Sequence, residues 1–316
     1  MLFSKEIDGW DCWGKLFCNL ETFAPLCREI LAKENLGNPK LGRLTPGTNA
    51  VFSAGHYVLK IFAPKETGLD TTKDFYVEQQ MLSYAGKLHI HTPRLIAFGE
   101  LQDRYHFRYL VLERVKGFPG DRLFTLEKSQ QSRILEALVK DMLRLHAGVP
   151  EKPLRQWLTS PVPAQNNPRW EKISPGLRKE LFSLTEEAIP MQAVLVPVHG
   201  DLTRDNLILS LDETQQAQLI WIDFADSHLA PECYELPPVV FELLMGDRKM
   251  VRLFYDIYCG YCGIRSRKSF LEQLVLGLAI HDFGADILKS YFSRCHKGQR
   301  VDSVKSLMDL LDGDFF

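Results

Sequence analysis

Several things are missing from this chain of 316 residues. No apolar run approaches the roughly 20 residues needed to cross a bilayer, so no transmembrane helix is expected. The start, Met1-Leu-Phe-Ser-Lys-Glu-Ile-Asp8, puts acids where a signal peptide needs its apolar core, which predicts a cytoplasmic, unprocessed protein. Neither sign of charge dominates: the formal net charge is -2, and no basic patch is interleaved with aromatics. Neither a nucleic acid nor an anionic membrane is therefore an expected partner. The seven cysteines are odd in number and spread along a long chain, which excludes a disulfide scaffold. One pair, Cys259-Gly-Tyr-Cys262, has redox or half-zinc spacing, but no second pair completes a metal site and no strand precedes it. It follows the apolar helical run 251–258, so two packed thiols at a helix end are the simpler reading. Internal repeats, low-complexity tracts and long charge blocks are also absent.

What is present is ordinary globular material, 45% hydrophobic and 25% charged. The length exceeds what one core usually holds, so two lobes are expected. Residues 1–40 read as helical, with Leu20, Phe23, Leu26, Cys27, Ile30 and Leu31 on one apolar face. A turn containing Gly47, Thr48 and Asn49 then runs into a short strand ending near Ser53. No GxGxxG occurs, because Gly47 and Gly55 are eight residues apart. Tyr57-Val-Leu-Lys-Ile-Phe62 is a β-rich run with a lone cation, Lys60. A buried Lys needs a negative partner, so Lys60 either meets one at a phosphate site or is an edge-strand residue with its head in water. A helix over 71–87, capped by Thr71 or Thr72 and ended near Gly86, carries Glu78. Glu78 either pairs with Lys60 or is solvated. Two further strands, 92–98 and 108–115, lead to the break Lys116-Gly-Phe-Pro-Gly120. This break suits a hinge, at which the Glu113 carbonyl and the Val115 N–H are placed to pair with an adenine edge.

Beyond the hinge the period becomes helical, with the stripe Ile134, Leu135, Leu138, Met142 and Leu145. His146 reads as a packed residue at that helix end. Residues 149–174 suggest a loop or lid, and 175–189 another helix. The informative stretch follows. In Val198-His-Gly-Asp-Leu-Thr-Arg-Asp-Asn206 an acid, Asp201, precedes an amide, Asn206, by five residues. Strands at 207–209 and 218–222, joined through Asp212-Glu-Thr-Gln215, carry Asp223 at the end of the second. Hairpin pairing would bring Asp201, Asn206 and Asp223 together. One acid that orients a hydroxyl, with an amide and a second acid for a divalent cation, is the equipment of phosphoryl transfer. After Ser227 the chain reads as helical to its end.

His199-Gly-Asp-Leu-Thr-Arg-Asp-Asn206 followed by Ile222-Asp-Phe224 resembles the aminoglycoside phosphotransferase/choline kinase superfamily of small-molecule kinases. The resemblance implies an α+β, protein-kinase-like two-lobed fold. Residues 1–116 would form a nucleotide-binding lobe with an N-terminal helical extension, and 117–316 a mostly helical lobe with the catalytic loop and acceptor pocket. It implies an ATP-dependent enzyme that phosphorylates a small-molecule hydroxyl, on an aminoglycoside or another amine-bearing alcohol. In that frame Asp201 is the catalytic base, Asn206 and Asp223 hold Mg2+, and His199 supports the loop. Lys60 contacts the phosphates, Glu78 holds Lys60, Thr48 and Asn49 cover the phosphates, and Glu113 and Val115 form the adenine hinge. The chain departs from the family where Ala225-Asp226-Ser227 follows Asp-Phe, and where Glu232 and Glu235 replace aspartates. Asp205, Asp226, Glu232, Glu235 and Asp282 are acids suited to a cationic acceptor, or else solvated or helix-capping. Phe316 ends an acidic-aromatic tail like those that approach the acceptor in some aminoglycoside kinases, although a frayed or packed terminus is the simpler reading. A catalytically silent nucleotide-binding scaffold on the same fold is the alternative reading.

Overall fold

The computed structural model describes residues 1–45, 47–161, 163–188, 194–211 and 217–316. The expected turn at 212–215 lies outside the described residues. The chain forms two compact units. The first comprises Met1–Lys87, Thr92–Lys116 and Asp223–Ala225; the second comprises Leu88–His91, Gly117–Ile222 and Asp226–Phe316.

The first unit opens with α1 (Trp10–Leu16) and α2 (Leu20–Lys33), followed by β1 (Leu41–Arg43), β2 (Ala50–Ala54) and β3 (Tyr57–Ile61). Then come α3 (Thr72–Lys87), β4 (Leu95–Gln102) and β5 (His106–Glu113). The five strands make one antiparallel sheet in the order β1-β2-β3-β5-β4. Side chains alternate between the faces of a strand, so Leu59 and Ile61 enter one layer and Lys60 the other. The first layer is an aromatic core in which Phe3, Trp13, Phe23, Phe52, Phe107 and Tyr109 are fully buried. Phe23 links it, meeting Phe3 at 5.0 Å and Trp13 at 5.7 Å edge-on, and Phe52 at 5.2 Å. Such tilted and edge-on pairs suit the ring quadrupoles. The face that spacing marked on α2 is the face that is buried: Phe23, Leu26, Cys27, Ile30 and Leu31. Asn19 caps this helix through the Thr22 N–H. At α3 the Thr72 N–H is taken by Asp70, while the Thr71 hydroxyl donates to the Ala63 carbonyl.

The second unit is mainly helical. It contains β6 (Phe118–Pro119), α4 (Lys128–Ala147), α5 (Lys152–Arg155), α6 (Pro175–Ala188), β7 (Val196–Val198), β8 (Leu207–Leu211), β9 (Ala217–Trp221) and β10 (His228–Ala230). A π-helical turn, Pro238–Leu243, precedes α7 (Arg248–Cys262), α8 (Arg267–Ile280), α9 (Gly284–Cys295) and α10 (Val304–Phe315). The apolar stripe of α4 is buried as its spacing predicts, with His146 among it. The small strands form two antiparallel sheets, β10-β7 and β6-β8-β9. They bracket the 199–206 loop: β7 leads into it, and β8 and β9 leave it as a hairpin in the register Leu207↔Trp221. Segment 149–174, expected as a loop, also contains α5 and two short 3-10 turns. Cys262 is the last residue of α7, and Gly263 beyond it adopts the left-handed conformation of a C-cap.

Candidate active site

In the first unit Lys60 stands on the middle strand β3 and is almost wholly buried. Its Nζ lies 2.6 Å from Glu78 Oε2 and 2.7 Å from Asp223 Oδ1. The solvated alternatives for Lys60 and Glu78 are thereby removed. Burial opposes the lysine charge, but the Asp223 and Glu78 carboxylates outweigh it and raise its pKa. Burial pushes the Glu78 carboxyl up to about 7 despite the neighbouring cation. Two acids crowd one ammonium, and they differ in access. The Glu78 side chain is 1% exposed, whereas that of Asp223 is 38% exposed. Glu78 is thus a fixed counter-charge, and Asp223 is the acid open to solvent. Asp223 also holds φ +60°, a backbone conformation costly for a residue with a Cβ.

The bend before β2 is fastened by Asn49, which is buried and accepts the Ala63 N–H through Oδ1 at 3.1 Å. The Thr48 carbonyl accepts the Trp13 indole N–H at 2.9 Å. At the end of β5 the Glu113 carboxylate pairs with Arg94 at 2.9 Å, leaving the main chain as the part suited to a hinge. The Arg114 N–H is bonded to the His56 carbonyl, whereas the Val115 N–H has no partner among the described residues.

In the second unit the 199–206 loop is held at almost every residue. Asn206 Nδ2 donates to Asp201 twice, to Oδ2 at 2.6 Å and to the carbonyl at 2.9 Å. Its carbonyl oxygen accepts the Ile222 N–H at 3.0 Å. His199 Nδ1 accepts the Asp201 N–H, so its Nε2 carries the proton and donates to the Ile222 carbonyl at 3.0 Å. Ile222 is therefore gripped at both backbone groups, immediately before Asp223 in the chain. This is the supporting role expected of His199.

Gly200 is the tightest point. Its φ is +89°, and a Cβ there would sit 2.2 Å from the Asp226 carbonyl oxygen, so only glycine fits. Its N–H donates to Glu235 Oε1 at 3.0 Å. Its carbonyl faces His281 Nε2 at 3.1 Å. His281 Nδ1 accepts the Phe283 N–H, which fixes the proton on Nε2. Burial lowers the His281 pKa to about 3, so the imidazole is neutral, and the Tyr234 ring stacks on it at 4.2 Å. Burial raises the Glu235 carboxyl to about 7, with the two loop N–H groups opposing and the Asp201 charge adding to the rise.

Among the remaining expected residues, Asp205, Asp226 and Glu232 are exposed and Asp282 is half-buried. One expectation changes. Glu235 was expected to meet an acceptor, but it is completely buried and spends its carboxyl on the Gly200 N–H. Phe316 takes the packed-terminus alternative: its ring packs on Tyr255 and Phe270 beneath the Arg267 guanidinium, and Arg252 holds its backbone. His281 had no sequence signal, because a histidine after an apolar helical run looks like packing.

No curated protein matches the sequence. Among solved structures, the GDP complex of wild-type aminoglycoside 2'-phosphotransferase-IIIa is similar at 17% identity, covering 92% of this chain and 97% of that one, with a TM-score of 0.61. The amicoumacin kinase hAmiN in complex with AMP-PNP, Ca2+ and Ami is similar at 14% identity, covering 91% and 92%, with a TM-score of 0.58. An aminoglycoside-3'-phosphotransferase of type VIII is similar at 20% identity, covering 81% and 97%, with a TM-score of 0.57. These likenesses establish the fold: a sheet-containing N-terminal unit and a mostly helical C-terminal unit, as the sequence resemblance implied. Residues 48–249 match the profile of the phosphotransferase enzyme family, and this chain belongs to that family.

Proposed function

We propose that this protein transfers the γ-phosphoryl group of ATP to a hydroxyl of a small molecule, in the cytoplasm. The observation that carries the reading is the Asp201 loop, where a carboxylate is held by Asn206 at 2.6 Å on a backbone clamped at Gly200. A scaffold that only binds nucleotide has no use for an acid fixed this way.

Asp201 would accept the proton of the acceptor hydroxyl as its oxygen bonds to the γ-phosphorus and the bond to the ADP oxygen breaks. The buried Lys60 ammonium would steady the nucleotide phosphates, with Glu78 keeping it in place. Thr48 and Asn49 would cover the phosphates. The Glu113 carbonyl and the Val115 N–H would read the base. Asn206 Oδ1 and the exposed Asp223 carboxylate are hard oxygen donors of the kind Mg2+ prefers, and would hold it. That ion would neutralise phosphate charge when bound. Asp205, Asp226 and Glu232, which remain open to water, support an amine-bearing alcohol such as an aminoglycoside as the acceptor.

The test is a panel of amine-bearing and neutral alcohols assayed with ATP or GTP, with and without Mg2+. Mg2+-dependent phosphorylation of a hydroxyl is expected, with Asp201→Ala losing turnover by about 10³-fold or more while nucleotide affinity is kept. Full transfer by Asp201→Ala would sink the role of Asp201. Tight nucleotide binding without turnover on any acceptor would favour the silent scaffold.

A further inference from the structure

The segment ahead of β1 contributes no group to the chemistry above, yet it is docked throughout. The Leu2 and Phe3 N–H groups donate to Asp103 Oδ2 at 2.8 and 2.7 Å, and the Ile7 N–H donates to the Tyr105 hydroxyl at 2.8 Å. The Gly9 N–H donates to the Glu66 carbonyl at 3.0 Å. These bonds fix the start of α1, and α1 carries Trp13. The Trp13 ring is fully buried in the aromatic core. Its indole N–H donates to the Thr48 carbonyl at 2.9 Å, in the bend at 47–49.

We propose that Trp13 is a positioning residue for the phosphate-covering bend, holding the Thr48–Asn49 peptide so that the Asn49 N–H is offered to a nucleotide phosphate. The inference rests on the reading that this bend covers the phosphates. A trans peptide is planar, so its C=O and N–H point in opposite directions. With the carbonyl bound to the indole, the Asn49 N–H is turned away from Trp13. Trp13 belongs to the same core as Leu59 and Ile61, and Lys60 projects from the other face of β3. The N–H is therefore directed away from the core that Lys60 also faces away from. An indole has one donor and no acceptor, so it selects this orientation. Rotating the peptide would leave a buried N–H without its partner. The Asn49 side chain, bonded to the Ala63 N–H, fixes the other end of the same peptide.

Two variants of the full chain test this. Trp13→Phe removes the N–H with some loss of ring volume. Replacement of Trp13 by benzothienylalanine, in which sulfur takes the place of the N–H, preserves the ring shape and serves if the first variant folds poorly. The ligands are ATP or GTP, whichever the wild type binds, and the corresponding nucleoside without phosphates. Loss of one neutral hydrogen bond predicts triphosphate binding weakened by about fivefold, with nucleoside binding unchanged. Amide exchange should quicken in the peptide containing residues 47–50. Unchanged triphosphate affinity in a folded variant overturns the proposal. An equal loss for nucleoside and triphosphate overturns it too, because that outcome marks a packing role. A wild-type protein that binds no nucleotide refutes the underlying functional reading instead.

Discussion

Glu235 offers the sharpest quantitative test of how the second unit holds its loop. Its carboxyl is wholly buried, with Oε1 accepting the Gly200 N–H. Burial raises its pKa from the ordinary 4.5 to about 7. The folded protein therefore binds a proton between these values that the unfolded chain releases. Stability from this group is fully present below pH 4.5, falls as pH rises, and is lost above pH 7. A shift of this size corresponds to about 3 kcal/mol in total, and to about 2 kcal/mol between pH 5 and pH 8. Glu235→Gln keeps an oxygen acceptor for Gly200 and removes the titration. Urea unfolding of both proteins at the two pH values gives the double difference. The wild type should lose about 2 kcal/mol more than the variant on going from pH 5 to pH 8. Superimposable pH profiles would refute the reasoning, because they would mean that Glu235 titrates alike in the folded and unfolded chains. A steeper loss in the variant would refute it as well.

Two further outcomes follow from the same geometry. Gly200→Ala forces a Cβ to 2.2 Å from a backbone oxygen at a left-handed φ, so a destabilisation of about 3 kcal/mol or more is expected, with loss of turnover, by thermal unfolding and phosphoryl-transfer assays; an active, stable variant would contradict the clamp. Lys60→Met removes the ammonium that faces Glu78 and Asp223, and kcat/KM for the nucleotide should fall by about 10²–10³-fold. A fall below tenfold would remove Lys60 from the phosphate site.

Local chemistry made most of the framework legible in the sequence. The α2 face was readable because helical period and burial coincide. Lys60 was conspicuous as a cation in an apolar strand, and its need for a partner pointed to Glu78. The Asp201-to-Asn206 spacing survives as a direct hydrogen bond because five residues of loop suffice to return the amide to the acid. The role of Glu235 is not legible in the sequence, for a physical reason. An acid in sequence is a candidate for solvent or a cationic ligand, and only burial against a backbone N–H turns it into a loop anchor.

The phosphotransferase family and the polar groups available for chemistry are readable in the sequence, because they depend on residue type and short spacing. Short strands such as β7 and β10, and the meetings of groups across long stretches of chain, come from the fold. Lys60 meets Asp223 after 163 residues, and Gly200 meets His281 after 81. Trp13 reaches the Thr48 carbonyl, and the C-terminal Phe316 is tied down on α7 and α8. Two of these contacts, at Thr48 and Gly200, are made to backbone carbonyls, which every residue carries and which leave no mark in the sequence. The other two join side chains that only the folded chain brings within reach.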